Sequence, residues 1–344
     1  MRPYSFKRFS ASADCSPLKE LPSLPKTSST DWSSYIEEKY SEPRFCDTVV
    51  TVDETGSVIG IDLGGTKIAA ARYSAASWKQ QQFLRRETEA SKGFSHVLDT
   101  LVDVATELKK EDTRAVGIGA PGLITHPEGT ILTLPNIPGG EGVPIQQTLF
   151  ERTGLPCLAD NDANCFTLAE AIAGAGKGAS VVVGVTLGTG VGGGIVINGK
   201  LFQGSQGYAA EFGHMLLVPG HPPFKTEDKR GDVEQFFSGS AMGKRCEEAK
   251  DPSDYLEGEV CAFMHKDIYR EVAWMCTNLI HVLDPSVIIF GGSAGHALAR
   301  HFKEVEKELH HWMLPNMPIP ELKVAELKDA ATLGAAMLTI GKSI

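Results

Sequence analysis

Apolar positions recur with regular spacing from Ser57 onward, whereas the stretch before it, rich in Ser and Pro, shows no sustained period. Short apolar runs bounded by glycine or proline predict buried strands within SVIGIDL, AVGIGAP, LPCLAD, SVVVGVTL and SVIIFGG. GFSHVLDTLVDVATELKKE carries apolar residues at 94, 97, 98, 101, 102, 104, 105 and 108, the spacing of a helix with one buried face. Further helices are expected over YREVAWMCTNLIHVLD (269–284), HALARHFKEVEKELHHW (296–312) and the small-residue segment DAATLGAAMLTIG (329–341). LPCLADNDANCFTLAEAIAGAG reads as a short strand running into a helix, with the polar cluster DNDAN (160–164) at the junction. Residues 1–55 read as a mostly flexible extension with a short helix over Asp31–Tyr40. Its first thirty residues hold five Lys/Arg against two acids, a faint likeness to a transit peptide that the flexible-tail reading outweighs.

One pattern occurs twice. GIDLGGTKIAAA and GVTLGTGVGGGIVI align with Gly60 over Gly184, Leu63 over Leu187 and Gly64 over Gly188, about 124 residues apart. Both read as strand, glycine turn, strand, and together they predict two similar lobes whose turns face one cleft. Within the second copy, GTGVGG matches the dinucleotide fingerprint G-x-G-x-x-G, but that fingerprint needs a helix after the glycines to receive a pyrophosphate. Here IVINGKLF follows, β-branched and closed by an Asn-Gly turn, so the context is a second strand. A Walker A loop is absent from both turns. What remains is a pair of glycine hairpins whose bare N–H groups can approach phosphate oxygens. An ordinary hairpin would explain either turn alone; two in matching positions, one followed by Thr66 and Lys67, favour a phosphate clamp. In DNDAN one acid is readily explained as a helix cap, but not all four polar side chains are. Alternation also keeps Asp160 and Asp162 from pointing at one spot.

With 344 residues and 42% hydrophobic content the chain can bury a sizeable core, so two lobes are affordable. A formal net charge of -10 argues against nucleic acid or an anionic membrane as partner, while leaving small anionic substrates open. No run approaches the ~18 apolar residues of a membrane span. The seven cysteines are scattered, odd in number and never C-x-x-C, and no secretory apolar segment is evident at the N-terminus. They are expected to be reduced thiols of a cytoplasmic protein.

DLGGTK (62–67), GAPG (119–122), NDAN (161–164), LGTGVG (187–192) and EFGH (211–214) stand in the order and rough spacing of the ROK family (repressor, ORF, kinase), which the chain resembles from about Ser57 to Gly341. Each motif is weak singly; five in order are specific. The resemblance implies an α/β, actin–hexokinase-type (ribonuclease H-like) fold with two similar lobes and a cleft between them. Its N-terminal lobe would span 56–160, with the last helix (329–342) packed back on it, and its C-terminal lobe 161–328.

The resemblance further implies an ATP-dependent kinase that phosphorylates a hexose at its 6-hydroxyl, with Asp162 as general base. Asp62 would lie near Mg²⁺. Gly64, Gly65, Thr66, Lys67, Gly188, Thr189 and Gly190 would hold phosphates, and Gly291 and Gly292 the adenosine. Gly122, Asn136, Asn161, Asp162, Glu211, His214 and Glu234 match sugar contacts, where polyol oxygens call for mixed donors and acceptors. Many members continue past the histidine into a zinc site. Here Lys225, Glu227 and Asp232 occupy its cysteine positions, so no structural zinc is expected. A mixed site of His214, Glu227 and Asp232 is a minor alternative. Loop differences near Pro135–Val143 would choose the sugar, with glucose favoured over the fructokinase and N-acetylhexosamine kinase readings. A sugar-responsive repressor would need a DNA-reading domain that residues 1–55 are too short and Pro/Ser-rich to form. A catalytically inactive sugar-binding protein is the remaining alternative, and the resemblance leaves a homodimer open.

Overall fold

The computed structural model describes residues 55–250, 252–256 and 258–340. The expected extension and its short helix at 31–40 lie outside them. In chain order the first part holds β1 (Ser57–Leu63), β2 (Lys67–Ser74), β3 (Gln80–Glu87), α1 (Phe94–Leu108) and β4 (Thr113–Ala120). The short β5 (Leu123–Ile124) and β6 (Ile131–Thr133), α2 (Ile145–Thr153), β7 (Cys157–Asn161) and α3 (Asp162–Ala173) follow. Next come β8 (Val181–Leu187), β9 (Val191–Ile197), β10 (Lys200–Leu201), α4 (Val233–Phe237), α5 (Gly239–Arg245) and α6 (His265–Leu283). The last elements are β11 (Val287–Gly291), α7 (Gly292–Leu298), α8 (Phe302–Trp312), β12 (Glu321–Val324) and α9 (Ala330–Met337).

The internal repeat is a repeat of topology. One sheet has the order β3-β2-β1-β4-β7 and the other β10-β9-β8-β11-β12. In each, a glycine hairpin supplies the antiparallel pair (β1–β2, β8–β9), and the hairpin's first strand then runs parallel to a later one (β4 or β11). Alternate residues of the central strands face different layers. Ile59 and Ile61 pack with α1 residues such as Val97, Leu101 and Val104, while Val58 packs with α9 and α3 residues. Val183, Val185, Ile288 and Phe290 pack with α6, while Val182 and Ile289 turn toward α3 and α9. The result is five layers, α1, sheet, α9 with α3, sheet, α6.

The central helices explain the small residues. α3 is buried continuously from Ala163 to Ala171, which a helix enclosed on all sides requires. A Cβ on Gly60 would come 1.9 Å from the Thr332 carbonyl oxygen, and one on Gly117, its partner across β1–β4, 1.7 Å from that of Ala335. α9 therefore lies directly on the backbone of the first sheet. α9 in turn meets α3 through Gly334, where a Cβ would fall 1.7 Å from the Cys165 carbonyl oxygen.

Several expectations need correction. The helix expected over 296–312 is broken by a 3-10 turn at Ala299–His301, and that over 329–341 closes at Met337. β3 and β12 have no counterpart in the hydrophobic pattern: β3 is an edge strand of sequence QQQFLRRE, polar because one of its sides has no strand beside it. The reading of all cysteines as reduced thiols fails for Cys246 and Cys261, which form a disulfide between the end of α5 and the turn before α6. The fold brings their Cα atoms to 6.0 Å, and spacing along the chain does not report that. Cys157, Cys165 and Cys276 are buried thiols outside the disulfide.

Candidate active site

The β7–α3 junction carries the densest chemistry. Asn161 caps α3: its Oδ1 accepts from the N–H groups of Ala163 (2.8 Å) and Asn164 (3.3 Å), and its Nδ2 donates to the Gly122 carbonyl (3.0 Å). The cap belongs to the amide, which leaves Asp162 as the first residue of the helix. Asp162 Oδ1 accepts from Ala163 N–H at 2.8 Å, and burial raises its carboxyl above the usual range against the pull of backbone donors. Asp160 engages different partners, the Asn161 N–H and the Asn164 amide, each at 2.8 Å, and the Gln203 amide. The two acids thus serve different places, as alternation requires.

Asp62 stands opposite, near the end of β1 and paired in register with Gly119, whose missing Cβ would lie 3.4 Å from the Asp162 Cα. Burial, then the neighbouring charges of Asp162 and Asp329, push the Asp62 carboxyl up from an ordinary 3.8 to about 7. Asp329 was not foreseen, since it joins the site only because α9 returns to β1. Between about pH 4 and pH 7 Asp62 is protonated in the fold and ionised in the unfolded chain, so unfolding releases its proton. Its contribution to stability is expected to fall as pH rises through that window, by on the order of a few kcal/mol in total. Melting of Asp62→Asn against pH should show this slope removed; an unchanged profile would place the titration elsewhere.

The first glycine turn is closed by the Gly64 N–H donating to the Lys67 carbonyl at 3.0 Å, and Gly65, Thr66 and Lys67 form its exposed tip. Thr88, fully buried, fixes it from outside: its hydroxyl donates to the Gly64 carbonyl (2.7 Å) and its N–H to that of Thr66 (2.8 Å). Asn136 approaches the same tip, since a Cβ on Gly65 would lie 3.6 Å from its own. The second turn is closed by the Gly188 N–H donating to the Gly190 carbonyl at 3.0 Å. The start of α5 buttresses it, with Gly239 N–H donating to the Gly188 carbonyl (2.8 Å) and the Ser240 hydroxyl to that of Thr189 (3.2 Å). Gly292 completes the group: at φ +78° it sits where a side chain would collide with the Leu187 carbonyl.

Glu234 Oε2 accepts from Val191 N–H at 2.9 Å and lies where a Cβ on Gly190 would intrude at 2.6 Å. This carboxylate therefore bonds directly to the backbone of the second turn. Glu211 is near enough to Asp162, Glu234 and His214 to feel each charge; burial raises its carboxyl and His214 draws it back. His214 Nδ1 is 3.7 Å from Asp232 Oδ2, a carboxylate 1% exposed that also pairs with Arg230 Nη1 at 3.3 Å and caps α4 through the Gln235 N–H. Asp62, Asp162, Glu211, His214 and Glu234 are thus linked by mutual electrostatic reach. Gly292 meets Leu187 beside the second turn, Gly291 pairs in register with Thr186 of β8, and Gly65 and Asn136 meet at the first turn.

The donor set does not fit the zinc site common in the family, because the Asp232 carboxylate already faces the Arg230 guanidinium and Lys225 and Glu227 are exposed. Among the described residues no three His, Cys, Asp or Glu side chains gather as metal ligands, and no helix is long and apolar enough to cross a membrane.

Two like sheets, each carrying a glycine hairpin, belong to the actin–hexokinase class of phosphotransferase folds. The chain belongs to the ROK family, whose sequence profile matches residues 58–342, and is a sugar kinase of that family. A glucokinase of Thermotoga maritima is 30% identical over 307 residues, covering 82% of this chain and 96% of that protein. An N-acetyl-D-glucosamine kinase of Yersinia enterocolitica is 31% identical over 304 residues, covering 82% and 99%. Among solved structures, a ROK hexokinase from Thermus thermophilus aligns with a TM-score of 0.72 at 30% identity, over 83% of this chain and 97% of its own. A ROK glucokinase from Streptomyces griseus, solved with glucose and AMPPNP, aligns at 0.66 and 30%, over 82% and 99%.

Proposed function

We propose that this ROK kinase transfers the γ-phosphoryl group of ATP to the 6-hydroxyl of a hexose, with glucose as the favoured acceptor and Asp162 as general base. The observation that carries the reading is a buried carboxylate, Asp162, at the start of α3 and within electrostatic reach of Asp62, in a chain whose two glycine hairpins repeat one topology. In this reading Asp162 accepts the hydroxyl proton as the sugar oxygen bonds to phosphorus, and the bond from phosphorus to the ADP oxygen breaks. Burial of Asp162 favours the role, because a carboxyl raised toward working pH is the better base. The N–H groups of Gly64–Lys67 and Gly188–Gly190 take the phosphates, Gly291 and Gly292 the adenosine. Gly122, Asn136, Asn161, Glu211, His214 and Glu234 surround the sugar, His214 being steadied by Asp232 in place of a metal.

Asp162 and Asp329 add negative charge around Asp62, which a cation beside it would offset. Mg²⁺ held beside Asp62 would neutralise phosphate charge, and it is expected to flatten the stability-versus-pH slope assigned to Asp62. We take the lobes as 56–160 with the last helix, and 161–328, and the location as cytoplasmic, where ATP is at hand. Two relatives name different sugars, glucose and N-acetyl-D-glucosamine. A coupled ADP-release assay over glucose, fructose, mannose and N-acetylhexosamines ranks the acceptors. The expected result is turnover with glucose foremost; binding without turnover on every hexose would instead support the inactive sugar-binding reading. Elemental analysis of the purified protein should find zinc far below one per chain, and a stoichiometric content would reverse the assignment at His214.

A further inference from the structure

The two oxygens of the buried Asp160 carboxylate engage different parts of the chain. Oδ1 accepts from the Asn161 N–H and the Asn164 Nδ2, both at 2.8 Å, and so ties β7 to the first turn of α3 on either side of Asp162. Oδ2 accepts from the Nε2 of Gln203, which lies just beyond β10 of the other sheet. Gln203 opens a loop that ends at Glu211. The Gln203 carbonyl accepts from Ala209 N–H at 3.2 Å, so the outgoing and returning limbs of the loop are joined two residues before Glu211. Midway, the Gln206 carbonyl accepts from His126 N–H at 3.2 Å, and Gly207, at φ +96°, fits where a Cβ would come 2.7 Å from the Ile124 carbonyl. Residues Gly204–Gln206, Tyr208 and Ala209 line a cavity of about 390 Å³. The loop thus leaves one sheet, docks on the β5–β6 hairpin and the β7–α3 junction, and brings Glu211 within electrostatic reach of Asp162.

We propose that Asp160 and Gln203 form a latch that positions Glu211 against Asp162 and thereby sets hexose affinity. The inference rests on the reading of Glu211 as a sugar contact. Neither latch residue touches the reacting atoms; both are positioning residues. A buried carboxylate that accepts from an amide is sensitive to the sign of that partner, because a second negative charge set against it there is costly.

The test is polarity reversal in the full chain. Gln203→Glu keeps the shape and sets two carboxylates together. It is expected to raise the hexose KM about tenfold or more, the scale of one lost charge-assisted hydrogen bond, with KM for ATP moving less than about twofold. Adding Asp160→Asn lets the new amide donate to Glu at 203 while its oxygen still accepts from Asn161 and Asn164. The double variant is expected to recover most of the lost affinity, which a general loss of stability would not do. Gln203→Ala, which adds no charge, covers the case in which Gln203→Glu melts early, and should raise the hexose KM severalfold. Hexose affinity is read in parallel by calorimetry. If the wild-type chain turns over no hexose, the activity reading falls while the latch is still judged by the order of affinities. An unchanged hexose affinity in Gln203→Glu, or no recovery in the double variant, overturns the latch.

Discussion

Asp162→Asn is expected to lower kcat by ~10²–10⁴, the span of general-base catalysis, while hexose affinity stays within a fewfold of wild type. The substitution keeps size and shape, and the amide oxygen can still accept from the Ala163 N–H that Asp162 Oδ1 now holds at 2.8 Å. It removes the capacity to take up a proton. The separation of kcat from affinity identifies the role, since loss of a mere sugar contact would move KM first. Asn161 provides the cap of α3, so the helix should start where it does now and melting should change little. The variant should also draw the Asp62 carboxyl down from about 7, because one of the two acids raising it is gone. Steady-state kinetics with calorimetry on the same preparation decides the matter; retained turnover would remove Asp162 from the mechanism.

Gly334→Ala is expected to produce a large loss of stability, on a par with Gly117→Ala. The added carbon would stand 1.7 Å from the Cys165 carbonyl oxygen, so α9 and α3 must separate for it to fit. Overpacking of this kind costs about 1–3 kcal/mol when neighbours can shift. Here the obstacle is helix backbone, which favours the upper end. α3 begins with Asp162, so activity should fall along with the midpoint of denaturant unfolding. An unchanged midpoint would mean that the two helices do not meet so closely.

How much of this is legible in the sequence depends on whether the partners lie together in the chain. The glycine hairpins are legible because a phosphate-binding turn needs consecutive residues and its flanking strands advertise themselves. DNDAN is legible as a junction, though which residue caps and which stays free follows only from geometry. Thr88 is not, because its partner Gly64 is 24 residues away and its own surroundings form a polar edge strand. Asp329 and the Asp160–Gln203 pair escape for the same reason, as does the Cys246–Cys261 bridge. Of the sites expected from the family resemblance, Glu234 gains a definite local partner, the Val191 N–H of the second turn. The glycine shared by the two repeats also changes meaning. Gly60 admits α9 and Gly184 admits the Thr167 side chain of α3, so the repeat reports packing as well as ligand binding.

Because α9 sits on β1, a segment made late lies against one made more than 250 residues earlier. A nascent chain that has reached β12 still displays the bare backbone of Gly60 and Gly117, with nothing to cover it. Contacts between β1 and α9 join residues more than 250 positions apart, so closing them is slow and must wait until α9 has been made. A chain stopped before Ala330 would therefore lack the helix that packs between the first sheet and α3.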